Sequence, residues 1–155
     1  MPPKGEGRDR EVSGFFVDMN ELFERFIARI LNRNLPHGYN LSYQETHLFL
    51  QNGRNNVLYQ RPDYVIKKSN IPVLVLDAKY REFKENMPSS DMARQLYVYS
   101  KILEHDSKEK IKNKIDSKIP AVLIFPASNS YNGSLLEEDK CPEFEFFDGT
   151  KLYIV

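Results

Sequence analysis

At 155 residues, with 22 basic side chains against 22 acidic ones, the chain has the size of one ordinary domain and no formal net charge. Its 41% apolar and 12% aromatic content is enough to bury a core, which excludes a disordered chain. The neutral balance argues against strong unaided binding to nucleic acid, because contacts to phosphate usually need a basic excess.

The longest apolar run, Ile71 to Leu76, is interrupted by Pro72 and falls far short of the roughly 20 residues of a membrane helix, so no membrane span is expected. Residues 1–13 read as a polar N-terminal arm; its first ten lack the apolar stretch of a secretory signal, and a cytoplasmic protein is expected. Cys141, alone, can form neither an internal disulfide nor a cysteine-rich zinc cage and reads as a loop thiol.

Asp18 or Asn20 can cap a helix in which Leu22, Phe23, Phe26, Ile27, Ile30 and Leu31 recur at helical spacing until Asn34, Pro36 and Gly38. At about 100° per residue, Glu24 falls on the flank of that apolar stripe, where it either meets solvent or looks into a cleft beside the core. Leu41 to Leu50 and Val57 to Ile66 alternate as strands around Asn52-Gly53, which predicts a β-hairpin. After a polar turn at Lys67 to Asn70, the continuous run Val73 to Leu76 suits a central strand buried on both faces.

Met87 to Asp91 leads into a second helix with a stripe of Met92, Leu96, Tyr99 and Leu103. Lys101, Lys108, Lys110, Lys112, Lys114 and Lys118 then outnumber Glu104, Asp106, Glu109 and Asp116, and read as a solvated helix or loop. Ala121 to Phe125 is a further strand, Asn132-Gly133 marks a polar loop, and Phe144 to Val155 closes as a hairpin about Asp148-Gly149. The order is helix, three strands, helix, strand and hairpin, which predicts an α/β domain with a central mixed β-sheet flanked by helices.

The chemistry centres on Arg61-Pro62-Asp63, Asp77-Ala78-Lys79 and Gln95 with Tyr99. An acid two residues before a lysine occurs elsewhere in the chain, as at Glu82-Phe83-Lys84 and Asp116-Ser117-Lys118, so the spacing alone decides nothing. Asp77 differs because it ends the most apolar strand, where an ionised carboxylate is costly unless a cation compensates it. Strand alternation puts Asp77 and Lys79 on one face, and pairing through the Lys67 to Asn70 turn would bring Asp63 beside Asp77.

Two carboxylates and the Ala78 carbonyl form an oxygen-rich set suited to Mg²⁺, with Lys79 placed to orient water or offset charge on phosphorus. The plainer reading is a Pro-Asp turn beside an Asp77–Lys79 ion pair. Gln95 and Tyr99, one helical turn apart, can face the same site. Asp77→Ala and Lys79→Ala are expected to abolish the chemistry of this site without unfolding, because both residues are expected at a strand end outside the packed interior. His37, His47 and His105 lack zinc-site spacing and read as loop or surface residues. Ser128, Ser130 and Ser134 lie outside any nucleophile-elbow pattern, and no Gly-rich phosphate loop is present.

These residues resemble the PD-(D/E)XK nuclease superfamily and, within it, the McrC-like nuclease subunits of McrBC-type modification-dependent restriction systems. Phe16 to Glu24 looks like the family's helix segment, Arg61 to Tyr64 like its first motif, and Leu76-Asp77-Ala78-Lys79-Tyr80 like its second. Asp91 to Ser100 is similar to the following helix, and Ala121 to Pro126 to the strand beyond. The resemblance covers roughly Gly14 to Pro126, within a nuclease domain expected over 14–155.

It implies a restriction-endonuclease-like core and a Mg²⁺-dependent DNA endonuclease, with Mn²⁺ as a substitute. Asp63, Asp77 and the Ala78 carbonyl would hold metal, Lys79 would assist water, Gln95 would orient water or phosphate, and Glu24 would be an additional acidic member. It also implies a McrB-like AAA+ GTPase as partner and DNA, methylated DNA included, as substrate; dimerisation for double-strand cleavage is compatible with it. Family members usually carry a substantial region before the nuclease domain that docks on the GTPase, whereas here the motifs begin almost at once. The alternative is a non-catalytic DNA-binding or assembly module on the same scaffold.

Overall fold

Five strands, instead of three, lie between the two helices in the computed structural model, which describes residues 17–83, 87–110, 118–127 and 141–155. The expected hairpin is broken in two places. Its first run divides into β1 (Tyr39–Tyr43) and β2 (His47–Asn52), and its second into β3 (Asn55–Gln60) and β4 (Tyr64–Lys68). Gln44 adopts a left-handed φ of 52° at one break, and Pro62, which cannot donate to a ladder, sits at the other. The outer pieces pair as β1 and β4, with Tyr43 opposite Tyr64, while β2 and β3 form a separate two-stranded ribbon that turns at Gly53-Arg54.

Helix α1 (Met19–Asn34) begins where expected: the Asp18 carboxylate accepts from the Asn20 amide at 2.9 Å and the Glu21 amide at 3.3 Å. Such a cap contributes about 1 kcal/mol. Its apolar stripe is divided, however. Phe23, Ile27 and Leu31 pack on the sheet, whereas Leu22, Phe26 and Ile30 stay exposed, so the helix adheres by one edge only.

Strand β5 (Ile71–Ala78) is central, as expected. It pairs antiparallel with β4 through a tight turn in which Ser69 and Asn70 both have positive φ, 49° and 64°, the geometry that matches strand twist. Helix α2 (Ser90–Lys110) then crosses over to β6 (Ala121–Ile124), parallel to β5. The closing hairpin forms from β7 (Glu143–Glu145) and β8 (Lys151–Ile154), and β8 also pairs parallel to β6. Among the described residues the main sheet runs β1-β4-β5-β6-β8-β7, a mixed sheet with a helix on each face, consistent with a restriction-endonuclease-like core.

Alternation along the strands divides the interior. Val65, Val75 and Leu123 join Leu96, Tyr99 and Leu103 of α2, while Tyr64, Ile66, Leu76 and Val122 meet α1. The whole α2 stripe of Met92, Leu96, Tyr99 and Leu103 is buried. The N-terminal arm, the lysine-rich segment at 111–117, the Asn132-Gly133 loop and Ser128, Ser130 and Ser134 lie outside the described residues. Among those described, no helix is long and apolar enough to cross a membrane.

Candidate active site

The β4–β5 register decides the site. Tyr64 stands opposite Leu76, so Asp63, one residue before β4, arrives beside Asp77 near the end of β5. Asp63 is fixed at two points: its Oδ2 accepts from the Ala78 amide at 2.9 Å, and its carbonyl accepts from the Gln44 amide at 2.9 Å. The fully buried Pro62 stiffens the approach.

Asp77 is only 1% exposed, which corrects the expectation that it stands outside the packed interior. It shares the α2 face with Val75, two residues earlier. The Lys79 ammonium lies 2.7 Å from the buried Asp77 Oδ2 as an ion pair. Burial, reinforced by the negative charge of Asp63, pushes the Asp77 carboxyl up to about 6, against the opposing pull of Lys79. Two carboxyls sharing one desolvated corner with a single cation form an anion-rich pocket whose charge is under-compensated.

Glu24 reaches the corner from α1. Its Oε2 accepts from Gln44 Nε2 at 3.1 Å, and its backbone carbonyl accepts from the Tyr64 hydroxyl at 2.8 Å. Burial first and then the charge of Asp63 raise its carboxyl, while Lys79 lowers it, so Glu24 lies within the field of both residues. It is a half-buried neighbour of the site, not a solvated flank residue. Among the described residues no three His, Cys, Asp or Glu side chains converge closely enough to hold a metal ion, which leaves Glu24 apart from the Asp63–Asp77 pair.

Gln95 approaches at one remove. Its Nε2 donates to the Tyr99 hydroxyl at 2.7 Å, and that hydroxyl donates to the Arg61 carbonyl at 3.4 Å. The Tyr99 hydroxyl is raised by burial and, against the hydrogen bond from Gln95, by the charges of Asp77 and Asp63. The chain Gln95–Tyr99–Arg61 therefore braces the segment that carries Asp63. Gln95→Ala is expected to lower the rate of the chemistry at this corner by no more than about tenfold, with a Gln95→Ala/Tyr99→Phe pair costing no more than the worse single change. Rate constants for the three variants check this, and additive losses would mean that the two side chains act separately.

Gln44 escaped sequence reading, although it holds both Asp63 and Glu24; its only signal is a polar residue within an alternating run, and its left-handed backbone is visible only in the fold. His47 also departs from expectation. It is buried at the root of β2, with Nδ1 2.8 Å from Asp106 Oδ2, while His37 and His105 are exposed. A groove of about 800 Å³ runs beside it between the ribbon and α2, lined in part by Phe49, Tyr97 and Lys101.

The chain is similar to known proteins over most of its length. The family described as McrBC 5-methylcytosine restriction system component matches residues 2–126, a span that holds Glu24, Asp63, Asp77, Lys79 and Gln95. A solved half-complex from the tetradecameric assembly of Thermococcus gammatolerans McrB AAA+ hexamers with bound McrC is similar at 50% identity and a TM-score of 0.56. The likeness covers 92% of this chain and 28% of that one, so this chain spans less than a third of the matched chain's length. A search of curated proteins finds no match. With the family matched over most of its length, the chain belongs to the McrBC 5-methylcytosine restriction system components.

Proposed function

We propose that this chain is the cutting domain of an McrBC-type restriction complex, a Mg²⁺-dependent endonuclease that hydrolyses phosphodiester bonds in DNA, methylated DNA included. The observation that carries this reading is the buried Asp77 carboxylate, set against Asp63 and paired with Lys79 at the adjoining ends of β4 and β5. A buried charge without full compensation is costly and marks a site built for a cation. Asp63, Asp77 and the Ala78 carbonyl would hold Mg²⁺, a hard ion that takes one or two carboxylates and keeps several waters, and Glu24, set apart from that pair, would be an additional acidic group beside it. When bound, it supplies Lewis acidity and a more acidic water.

The remaining work falls to the chain itself. Lys79, partly exposed, orients the attacking water or offsets negative charge growing on phosphorus. Gln44 and the Ala78 amide hold the acidic side chains in place, and Gln95 acts through Tyr99. An AAA+ GTPase similar to McrB would bring the DNA, which suits a chain with no net charge. The bound McrC of the solved assembly supports this partner.

The test is cleavage of supercoiled plasmid, unmodified and cytosine-methylated, in Mg²⁺, Mn²⁺ or EDTA, with and without the GTPase. Metal-dependent cutting that disappears in Asp77→Asn is the expected result, and a requirement for GTPase and methylation would place the chain in the restriction complex. Folded protein that never cuts beside a competent partner would instead favour a non-catalytic DNA-binding or assembly module.

A further inference from the structure

We propose that the β2–β3 ribbon is the element with which this chain grips DNA beside the cutting site, its tip at Gln51 to Asn56 seated in a groove of the duplex. The inference rests on the nuclease reading for the position of the DNA, and the ribbon supplies the rest. Its two strands leave and rejoin the sheet at Gln44 and Asp63, both of which belong to the site. A polymeric substrate threaded past Asp63 and Asp77 must therefore extend along or away from the ribbon root.

That root is braced on both strands by α2. His47 on β2 pairs with Asp106, and the Arg61 carbonyl just beyond β3 accepts from Tyr99. Beyond the root, residues 51–59 are all exposed. Six residues per strand give a reach of about 20 Å. A two-stranded ribbon of this kind fits a major groove roughly 12 Å wide and 8.5 Å deep.

The charge of the tip suits a polyanion. Between Glu45 and Asp63 the chain has no carboxylate, and its ionised side chains there are Arg54 and Arg61. The tip reads Gln51-Asn52-Gly53-Arg54-Asn55-Asn56, amide and guanidinium groups that donate to base edges and phosphate. Behind the tip Phe49, Leu50, Val57, Leu58 and Tyr59 are all exposed, an apolar stretch that the rings of Phe49 and Tyr59 would bring against sugars and bases.

The experiment uses the full chain carrying Asp77→Asn, which prevents cutting, and follows the anisotropy of a fluorescein-labelled 20-base-pair duplex across a salt series. Adding Arg54→Glu is expected to weaken binding about tenfold, and Arg54→Gln to reduce the salt slope by about one. Arg33→Glu and Arg33→Gln, at an exposed arginine of α1, are the charge-matched controls, and circular dichroism confirms folding. The parent is expected to bind weakly and measurably only at the low-salt end of the series, so unchanged affinity in the Arg54 variants, equal losses in the controls, or no binding by the parent even there would overturn the proposal. Unchanged DNA affinity with lost capture of a McrB-like AAA+ GTPase would make the ribbon a protein dock and overturn it equally. Because binding is read without cleavage, a wild type that never cuts leaves this result intact, and a wild type that cuts with an inert ribbon condemns the ribbon alone.

Discussion

Asp77→Asn is expected to abolish metal-dependent cutting and, in the same protein, to raise the stability of the metal-free fold at pH 7. The two effects share one cause. Burial and the neighbouring Asp63 push the Asp77 carboxyl from an ordinary 3.8 up to about 6, so its ionised form is less favourable in the fold than in the unfolded chain. That cost is absent below about pH 4, grows between about pH 4 and 6, and is complete at pH 7. That rise sets a ceiling of about 3 kcal/mol.

Because the asparagine amide also has to find partners, a gain of about 1–2 kcal/mol is expected, or about 3–6 °C in Tm for a domain of this size. Thermal unfolding in EDTA at pH 7 and pH 4 checks the sign: the advantage of the variant should shrink as pH falls. An equal difference at both pH values would remove the ionisation of Asp77 as its source. Adding Mg²⁺ should stabilise wild type and leave the variant unmoved, because only the former retains the full donor set. Asp77→Ala is the poorer probe, since it also opens a void at a position that is 1% exposed.

Lys79→Met is expected to lower the cleavage rate by about 10²- to 10³-fold while Mn²⁺ binding persists, because the ammonium acts on water or phosphate and is not a ligand. Its removal also leaves Asp77 without its cation. Asp77 then relieves the cost by taking up a proton, so the variant should be less stable than wild type at pH 8 and nearly equal at pH 5. Combining it with Asp77→Asn should restore stability without restoring cutting. Cleavage at the wild-type rate by Lys79→Met would take the residue out of the site.

Sequence and structure part company where long-range contacts decide. The N-cap of α1, the central β5 and the meeting of Asp63 with Asp77 were legible because each depends on local rules: a capping carboxylate, an apolar run and a tight turn at Ser69-Asn70. The split of the hairpin was not, because alternation continues through Gln44 and Arg61-Pro62 while the backbone turns away. Burial of His47 was hidden for a similar reason, its partner Asp106 lying on another element. Gln95 was placed on the correct helix face, but the intervening Tyr99 hydroxyl is a matter of packing distance that helical spacing cannot resolve. Half of the α1 stripe remained exposed because periodicity records amphipathicity and not how much of it the sheet can cover.

The junction of β1 with β4 carries a consequence for how such a chain diversifies. Tyr43 and Tyr64 are direct ladder partners with rings stacked 5.7 Å apart, so the chain exits and re-enters one rung of the sheet. An excursion rooted in a closed rung can lengthen, shorten or change sequence with little penalty to the platform, because doubling a loop costs only about 0.6 kcal/mol in closure entropy. Insertions between 47 and 60 are thus insulated from the β4–β5 ladder that aligns the carboxylates. Heritable variation in what the arm touches is decoupled from the geometry of bond breaking.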